Sequence, residues 1–209
     1  METTSKNITW TQAKIGREER ARRFGQRGAV VWLTGLSGSG KSTMAVGLDA
    51  WLGGRGRPAF ILDGDNMRHG LCQDLGFSDR DRAENIRRTG EAGKLIAEAG
   101  LVAVCALISP FAAERQNVRA SCRAAGVPFA EVFTNSPLLV CEARDPRGLY
   151  RRARAGEIKG FTGIDSAYEP PPHPELELRT DQNSPDVSLQ KLGEFVLAFT
   201  AILETSPQG

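Results

Sequence analysis

The stretch that most limits what this chain can become is Gly35-Leu36-Ser37-Gly38-Ser39-Gly40-Lys41-Ser42. An apolar run, Ala29 to Thr34, leads into it, and a helix-compatible segment, Thr43 to Leu52, leads away. The order of strand, glycine-rich turn and helix is what a G-x-x-x-x-G-K-[ST] phosphate-binding loop requires. Glycines let successive N–H groups wrap an anion, and the helix that follows adds its positive end. Lys41 is placed to reach the β- and γ-phosphates of a nucleotide, and the Ser42 hydroxyl to ligate Mg²⁺.

The rest of the chain repeats a βα alternation. Strands are expected at 29–34, 59–62, 101–108, 129–133 and 176–178. The run Leu101 to Ile108 is apolar enough for an interior strand. Helices are expected after the phosphate loop, from Ser78 (a cap, with Asp81 three residues on) to about Ala99, from Ala112 to Ala125, from Pro137 to Ala143, and from Asp186 to Leu203. The stretch Asn66 to Phe77 reads as loop. The fold class is therefore α/β: a three-layer parallel sheet flanked by helices, of the P-loop nucleoside triphosphate hydrolase and kinase type. Residues 1–28 read as a polar arm with a basic, helix-compatible patch from Arg17, and 29–205 as one domain. Within it, Arg144 to Lys159 carries six basic residues and suits a lid, about 145–165, over the phosphates.

Ligands of such a sheet lie beyond the C-terminal strand ends. Two more strand ends carry polar groups there, Asp63-Gly64-Asp65 and Ser109-Pro110. A carboxylate at 63 or 65 suits a role beside Mg²⁺ or as acceptor of a hydroxyl proton; a plain Asp-Gly turn is the alternative. Arg82, Asn85 and Arg88 share a helix face, and Arg68 and Arg87 lie nearby. Such an array suits an anionic second substrate, or else a solvated basic face. Phe77 beside these arginines offers a surface for a base, or belongs to the core.

A net charge of +2 gives no reason to expect a nucleic-acid partner. The four cysteines form no C-x-x-C pair and read as reduced thiols. The polar N-terminus carries no secretory apolar core, and no apolar run approaches membrane-spanning length. A cytoplasmic protein is expected. The strand ending at Ile108 lacks the acidic residue of motors and GTPases, and no Asn-Lys-x-Asp reads guanine, which favours a small-molecule kinase.

At the level of longer motifs the chain resembles adenylyl-sulfate kinases. The resemblance is carried by Leu62-Asp63-Gly64-Asp65-Asn66-Met67-Arg68-His69-Gly70-Leu71, Asp74 to Ser78, Arg82-Ala83-Glu84-Asn85-Ile86-Arg87-Arg88, Ile108-Ser109-Pro110, Asp145 to Tyr150, and Lys159-Gly160-Phe161-Thr162-Gly163-Ile164. It implies transfer of a phosphoryl group from ATP to the ribose 3′-hydroxyl of adenosine 5′-phosphosulfate (APS), giving ADP and 3′-phosphoadenosine 5′-phosphosulfate (PAPS). It implies that Gly35 to Thr43 and Arg147 bind ATP. It further implies that Phe77 and Phe161 sandwich the second adenine, that Arg68, Arg82 and Asn85 hold the phosphosulfate, and that Ile108 and Lys159 add substrate contacts. Asp63 corresponds to the carboxylate near the 3′-hydroxyl and Asp65 to its neighbour. Ser109 corresponds to a serine commonly assigned as a phosphoserine intermediate; an in-line transfer needs no protein nucleophile, so a positioning role is expected here. A homodimer and functional coupling to an ATP sulfurylase also follow from the resemblance.

Three positions depart from the family pattern. Trp10-Thr11-Gln12 stands where bacterial relatives show Trp-His, Thr134-Asn135-Ser136-Pro137 replaces Val-Asp-Thr-Pro, and Arg147 replaces a Lys. Two competing functions are a silent sulfonucleotide-binding regulatory domain and a P-loop kinase for another small molecule. The intact Gly35, Gly40, Lys41 and Ser42 disfavour the first.

Overall fold

The computed structural model describes residues 7–9 and 11–202; Trp10 and Leu203 lie outside the described residues. Five parallel strands form one sheet in the order β2-β3-β1-β4-β5, namely β1 (Ala29–Thr34), β2 (Ala59–Asp63), β3 (Val102–Ala106), β4 (Phe129–Asn135) and β5 (Leu176–Arg179). β1 pairs with β3 on one side and β4 on the other, with Val31 opposite Val104 and Ala130. Every residue of β1 and β3 is buried, which accounts for their unbroken apolar runs.

Period-two alternation splits β1 between two cores. Val31 and Leu33 face α2 (Lys41–Gly53) and α8 (Pro185–Phe199), where they meet Leu48, Leu52, Leu192 and Val196. Val30 and Trp32 face α4 (Asp79–Glu98) and α5 (Ala112–Ala124), where they meet Ile86, Val118 and Cys122. The two last-named helices approach closely at Gly90, where a Cβ would lie 2.8 Å from Val118.

Local signals explain most boundaries. Ser78 caps α4 by accepting from the Asp81 N–H, and Ser184 caps α8 by accepting from Val187. The remaining helices are α1 (Arg17–Phe24), α3 (Gly64–Met67), α6 (Leu138–Arg144) and α7 (Leu149–Arg154). Three boundaries differ most from expectation. The strand expected over 101–108 spans only Val102–Ala106, so Leu107 and Ile108 lie beyond its end. The segment after β2 opens with the short α3, because the Asp63 carboxylate caps it through the Asp65 N–H. α8 ends at Phe199, where the Thr200 hydroxyl turns back onto the Val196 carbonyl at 2.7 Å. The end of the basic N-terminal patch is tied to the body: Gln26 is buried and donates to the Pro58 and Gly100 carbonyls at 2.8 and 3.2 Å.

Candidate active site

At the C-terminal ends of the strands lies a cavity of about 1130 Å³. That exceeds the roughly 300–1,000 Å³ of a typical single-ligand pocket. Of the candidate site residues named in the sequence, all but Gly35, Leu36, Ser39, Arg87 and Arg88 line it. Gly35 and Ser39 are buried within the loop, and Leu36 turns to a second, smaller pocket beside Leu138 and Gly163. Gly35 passes so close to Thr134 that a Cβ would meet its hydroxyl at 2.5 Å, and Gly40 takes φ 96°, a left-handed turn into α2. No side chain caps α2, so its first N–H groups are open toward the cavity. Ser39 shares a buried hydrogen bond with Thr134, 2.8 Å, and Thr134 in turn donates to the Thr34 carbonyl at 2.9 Å. The departure from the family pattern at 134 thus supplies a hydroxyl that braces the phosphate loop.

Lys41 is 8% exposed, and its ammonium donates to the carbonyls of Gly35 (3.0 Å) and Leu36 (2.8 Å). Burial pulls its pKa down to about 8, against the opposing pull of nearby Asp63 and Asp65. Across the loop, the Ser42 hydroxyl donates to Asp63 at 2.7 Å, while the other Asp63 oxygen accepts from the Asp65 N–H at 3.0 Å. Two hard oxygen donors therefore sit side by side at the cavity floor. Among the described residues no group of three or more His, Cys, Asp or Glu could hold a metal alone.

The basic segment, Arg144 to Lys159, starts at the last residue of α6, runs through α7 along the cavity and continues into a loop that reaches 166. Arg144 fastens its start, donating to the Gly38 and Thr180 carbonyls at 3.2 and 2.6 Å, and further contacts follow. Tyr150 donates to the Ser37 carbonyl at 2.9 Å. Arg147 pairs with Asp65. Arg82, from α4, donates to the Gly160 carbonyl and the Thr162 hydroxyl, both at 3.2 Å. The Asp165 carboxylate accepts from the Gly160 and Phe161 N–H groups, which hold its pKa below the usual carboxylate range and fix the turn that presents Phe161. Lys159 lies exposed on the same rim.

Phe77 is 74% exposed, with the Arg68 guanidinium 4.3 Å from its ring centre, and Arg68 also donates to the carbonyls of Leu75 and Gly76. Phe161 meets Tyr150 edge to face at 5.0 Å. Asn85 is buried and its amide nitrogen has no partner, although it faces the cavity. A buried donor left unmade is costly unless a ligand completes it. The expected guanidinium array is smaller than the sequence suggests. Arg88 is committed to Asp74 and Glu84, and Arg87 to Glu84, whose pKa these arginines hold down at about 2. Neither Arg87 nor Arg88 lines the cavity; Glu84 on α4 and Asp74 ahead of it hold them.

Ser109 is buried with φ 40°, and Ile108 beside it offers its carbonyl to Thr34 at 2.7 Å. The Ser109 hydroxyl accepts from the Trp32 indole at 3.0 Å and donates to Thr34 at 3.1 Å. It is a braced hydroxyl, held by the sheet. Sequence reasoning missed Thr180 to Asn183, which line the cavity beyond β5, and Thr180 donates to the Ser39 carbonyl at 2.8 Å. The rule that each parallel strand delivers its C-terminal end to the cleft would have found them.

The profile of the family described as Adenylylsulphate kinase matches residues 27–179. The chain belongs to the adenylyl-sulfate kinase family. An adenylyl-sulfate kinase of Marinobacter nauticus is 56% identical over 186 residues, 89% of this chain and 92% of its own. One of Yersinia pestis is 56% identical over 176 residues, 84% of this chain and 82% of its own. Among solved structures, the APS kinase of Mycobacterium tuberculosis in complex with AMPPNP and APS superimposes with a TM-score of 0.79 at 49% identity, covering 81% of this chain and 98% of that one. The matched stretch 27–179 holds the cavity residues described above except Thr180 to Asn183, and the chain is a nucleotide-dependent kinase.

Proposed function

We propose that this kinase transfers the γ-phosphoryl group of ATP to the 3′-hydroxyl of APS, forming the O3′–P bond, breaking the Pγ–O bond, and releasing ADP and PAPS. The observation that carries this reading is one cavity lined by both an open phosphate loop and Asn85, whose buried amide nitrogen has no partner, in a chain of this family. In this reading the N–H groups of the phosphate loop, residues 35–43, and Lys41 hold the ATP phosphates, and Arg147 adds charge from the lid segment 145–165. Arg68, Arg82 and Asn85 hold the phosphosulfate. Phe77 and Phe161 stack on its adenine, with Ile108 and Lys159 completing the subsite. Asp63 orients the attacking hydroxyl and accepts its proton, and Asp65 restrains Arg147 until ligand arrives.

Mg²⁺ fits the floor of the cavity: Ser42 and Asp63 offer two oxygen donors there, and phosphates and water would complete its coordination. When bound it offsets charge on the phosphates. Ser109, already engaged by Trp32 and Thr34, acts by position, and Ser109→Ala should keep most turnover with no isolable phosphoserine. Residues 1–28 form an arm to a 29–205 body in this reading. The four free, buried thiols suit the cytoplasm, and among the described residues no helix is long and apolar enough to cross a membrane. A homodimer, testable by sedimentation at micromolar concentration, and coupling to an ATP sulfurylase are further expectations of the family resemblance.

The deciding experiment measures ADP release with APS, nucleoside monophosphates and sugars as acceptors. Release with APS alone, and a product phosphorylated at the ribose 3′ position, are expected. Binding of APS without ADP release would instead mark a silent regulatory domain, and release only with another acceptor would overturn the substrate.

A further inference from the structure

Arg115, in α5, stands outside the cavity wall and reaches its acceptor half from behind. Its side chain is 1% exposed, and each nitrogen has a task. Nε donates to Glu131 at 2.6 Å, Nη1 to the Ser109 carbonyl at 2.7 Å, and Nη2 to the Glu169 carbonyl at 2.8 Å. The three acceptors belong to separate segments: β4, the turn after β3, and the chain that leaves the lid. Tyr168, beside Glu169, bonds the Thr34 hydroxyl at 3.0 Å, and Thr34 also holds the Ile108 carbonyl and the Ser109 hydroxyl. Ser109 therefore has its carbonyl fixed from one side and its hydroxyl from the other, at a backbone angle that a residue with a side chain rarely adopts.

A buried ion pair is a poor source of stability, since well-packed apolar residues commonly do as well. What a guanidinium offers instead is a rigid planar fork that fixes three acceptors in relation to one another. Its charge is balanced locally, because Glu131 faces Arg119 at 3.5 Å and Arg119 forks onto Glu175. We propose that Arg115 is a positioning residue for the acceptor nucleotide. Acting through Ser109 and Glu169, it locks the Ile108–Pro110 wall to the C-terminal root of the lid, and it touches neither substrate. This rests on the assignment of Ile108 and Ser109 to the acceptor side.

The test is Arg115→Lys, which keeps the charge and loses the fork. Steady-state constants for APS and ATP are measured together with the thermal midpoint. Displacing a reacting group by about 1 Å can cost on the order of 100-fold. A fall on the order of 30-fold in kcat/KM for APS is expected, with the KM for ATP within about twofold of wild type. Glu131→Gln, which keeps an acceptor oxygen but leaves the guanidinium charge unmatched, should show the same split more weakly, and it carries the test if Arg115→Lys does not fold. Equal losses toward both substrates, or a lower midpoint with unchanged kinetics, would overturn the proposal. Turnover of APS by the wild-type enzyme reports separately on the function itself, so failure of one reading is not mistaken for failure of the other.

Discussion

The two halves of the cavity are built on different principles. On the phosphate-loop side the framework is finished without ligand: Thr134, Thr180 and Tyr150 brace the loop, through buried or half-buried bonds to the Ser39 hydroxyl and to the Ser39 and Ser37 carbonyls respectively. On the opposite side the arginines hold stand-ins. Arg82 occupies itself with the Gly160 carbonyl, the Thr162 hydroxyl and Asp79, Arg68 with the carbonyls before Phe77, and the Asn85 amide nitrogen has no partner. A preorganised half stabilises developing charge without reorganising. A half that must exchange internal partners for ligand gains less net free energy per contact, and it discriminates better, because only an anion of the right shape replaces every partner.

The largest effect should come from the finished half. Lys41→Ala removes the one ammonium among the loop N–H groups, and turnover should fall on the order of 1,000-fold or more. The variant should still fold, because removing a buried, desolvated charge relieves a cost. Product formation and thermal midpoint together check this. Wild-type turnover in Lys41→Ala would end the distinction between the halves.

Arg82→Ala should come next, with a loss on the order of 100-fold in kcat/KM for APS, since a charge-assisted contact and a lid fastening go together. Nucleotide affinity in the other half should change by about twofold or less. A comparable loss of ATP affinity would mean that the halves are one coupled unit.

How much of this contrast could be read from the residues alone follows from its physics. The phosphate loop is local: its turn, its helix and its glycines sit within a dozen neighbouring positions, so sequence shows them whole. The parallel sheet was likewise legible, because β1 and β3 are buried on both faces and their apolar runs are unbroken. The acceptor half was half legible. Asp63, Arg82, Asn85 and Phe161 were each visible, but the commitment of Arg88 to Asp74 was not, because that carboxylate is brought in by the chain's path after α3. Arg115 was invisible for the same reason: its partners lie 6, 16 and 54 positions away and no short pattern joins them.

A pH profile sharpens the comparison further. Lys41 in the free protein titrates near 8, well below its ordinary value of 10.5. Phosphate binding requires the charged form, so ATP analogue affinity should be level below about pH 7.5. Above pH 8 it should weaken by up to about tenfold per pH unit, with proton uptake visible by calorimetry in buffers of different ionisation enthalpy. The stability effect has the opposite direction. Between about 8 and 10.5 the unfolded chain binds more protons at this residue than the folded one, so Lys41 destabilises fully below pH 8 and its cost fades as pH rises. The difference in stability between wild type and Lys41→Met isolates that window. An affinity profile level through pH 9 would show that the loop does not depress this lysine.

The smallest effect should come from the most exposed contact. Phe77 projects into solvent with Arg68 on its face, so its removal leaves no core cavity behind. Phe77→Ala should leave the thermal midpoint within about 1 °C, since surface changes usually fall within about 0.5 kcal/mol. If the ring stacks on the acceptor adenine, its loss should weaken APS affinity by about 5–10-fold, in line with the ~0.5–1.5 kcal/mol of an aromatic pair beyond area burial. ATP affinity should not change. Phe77→Trp should restore or improve APS binding by enlarging the stacking face, which a purely structural Phe77 would not do. Loss of stability in Phe77→Ala without loss of APS affinity would move this ring from the exchanging half of the cavity to the framework.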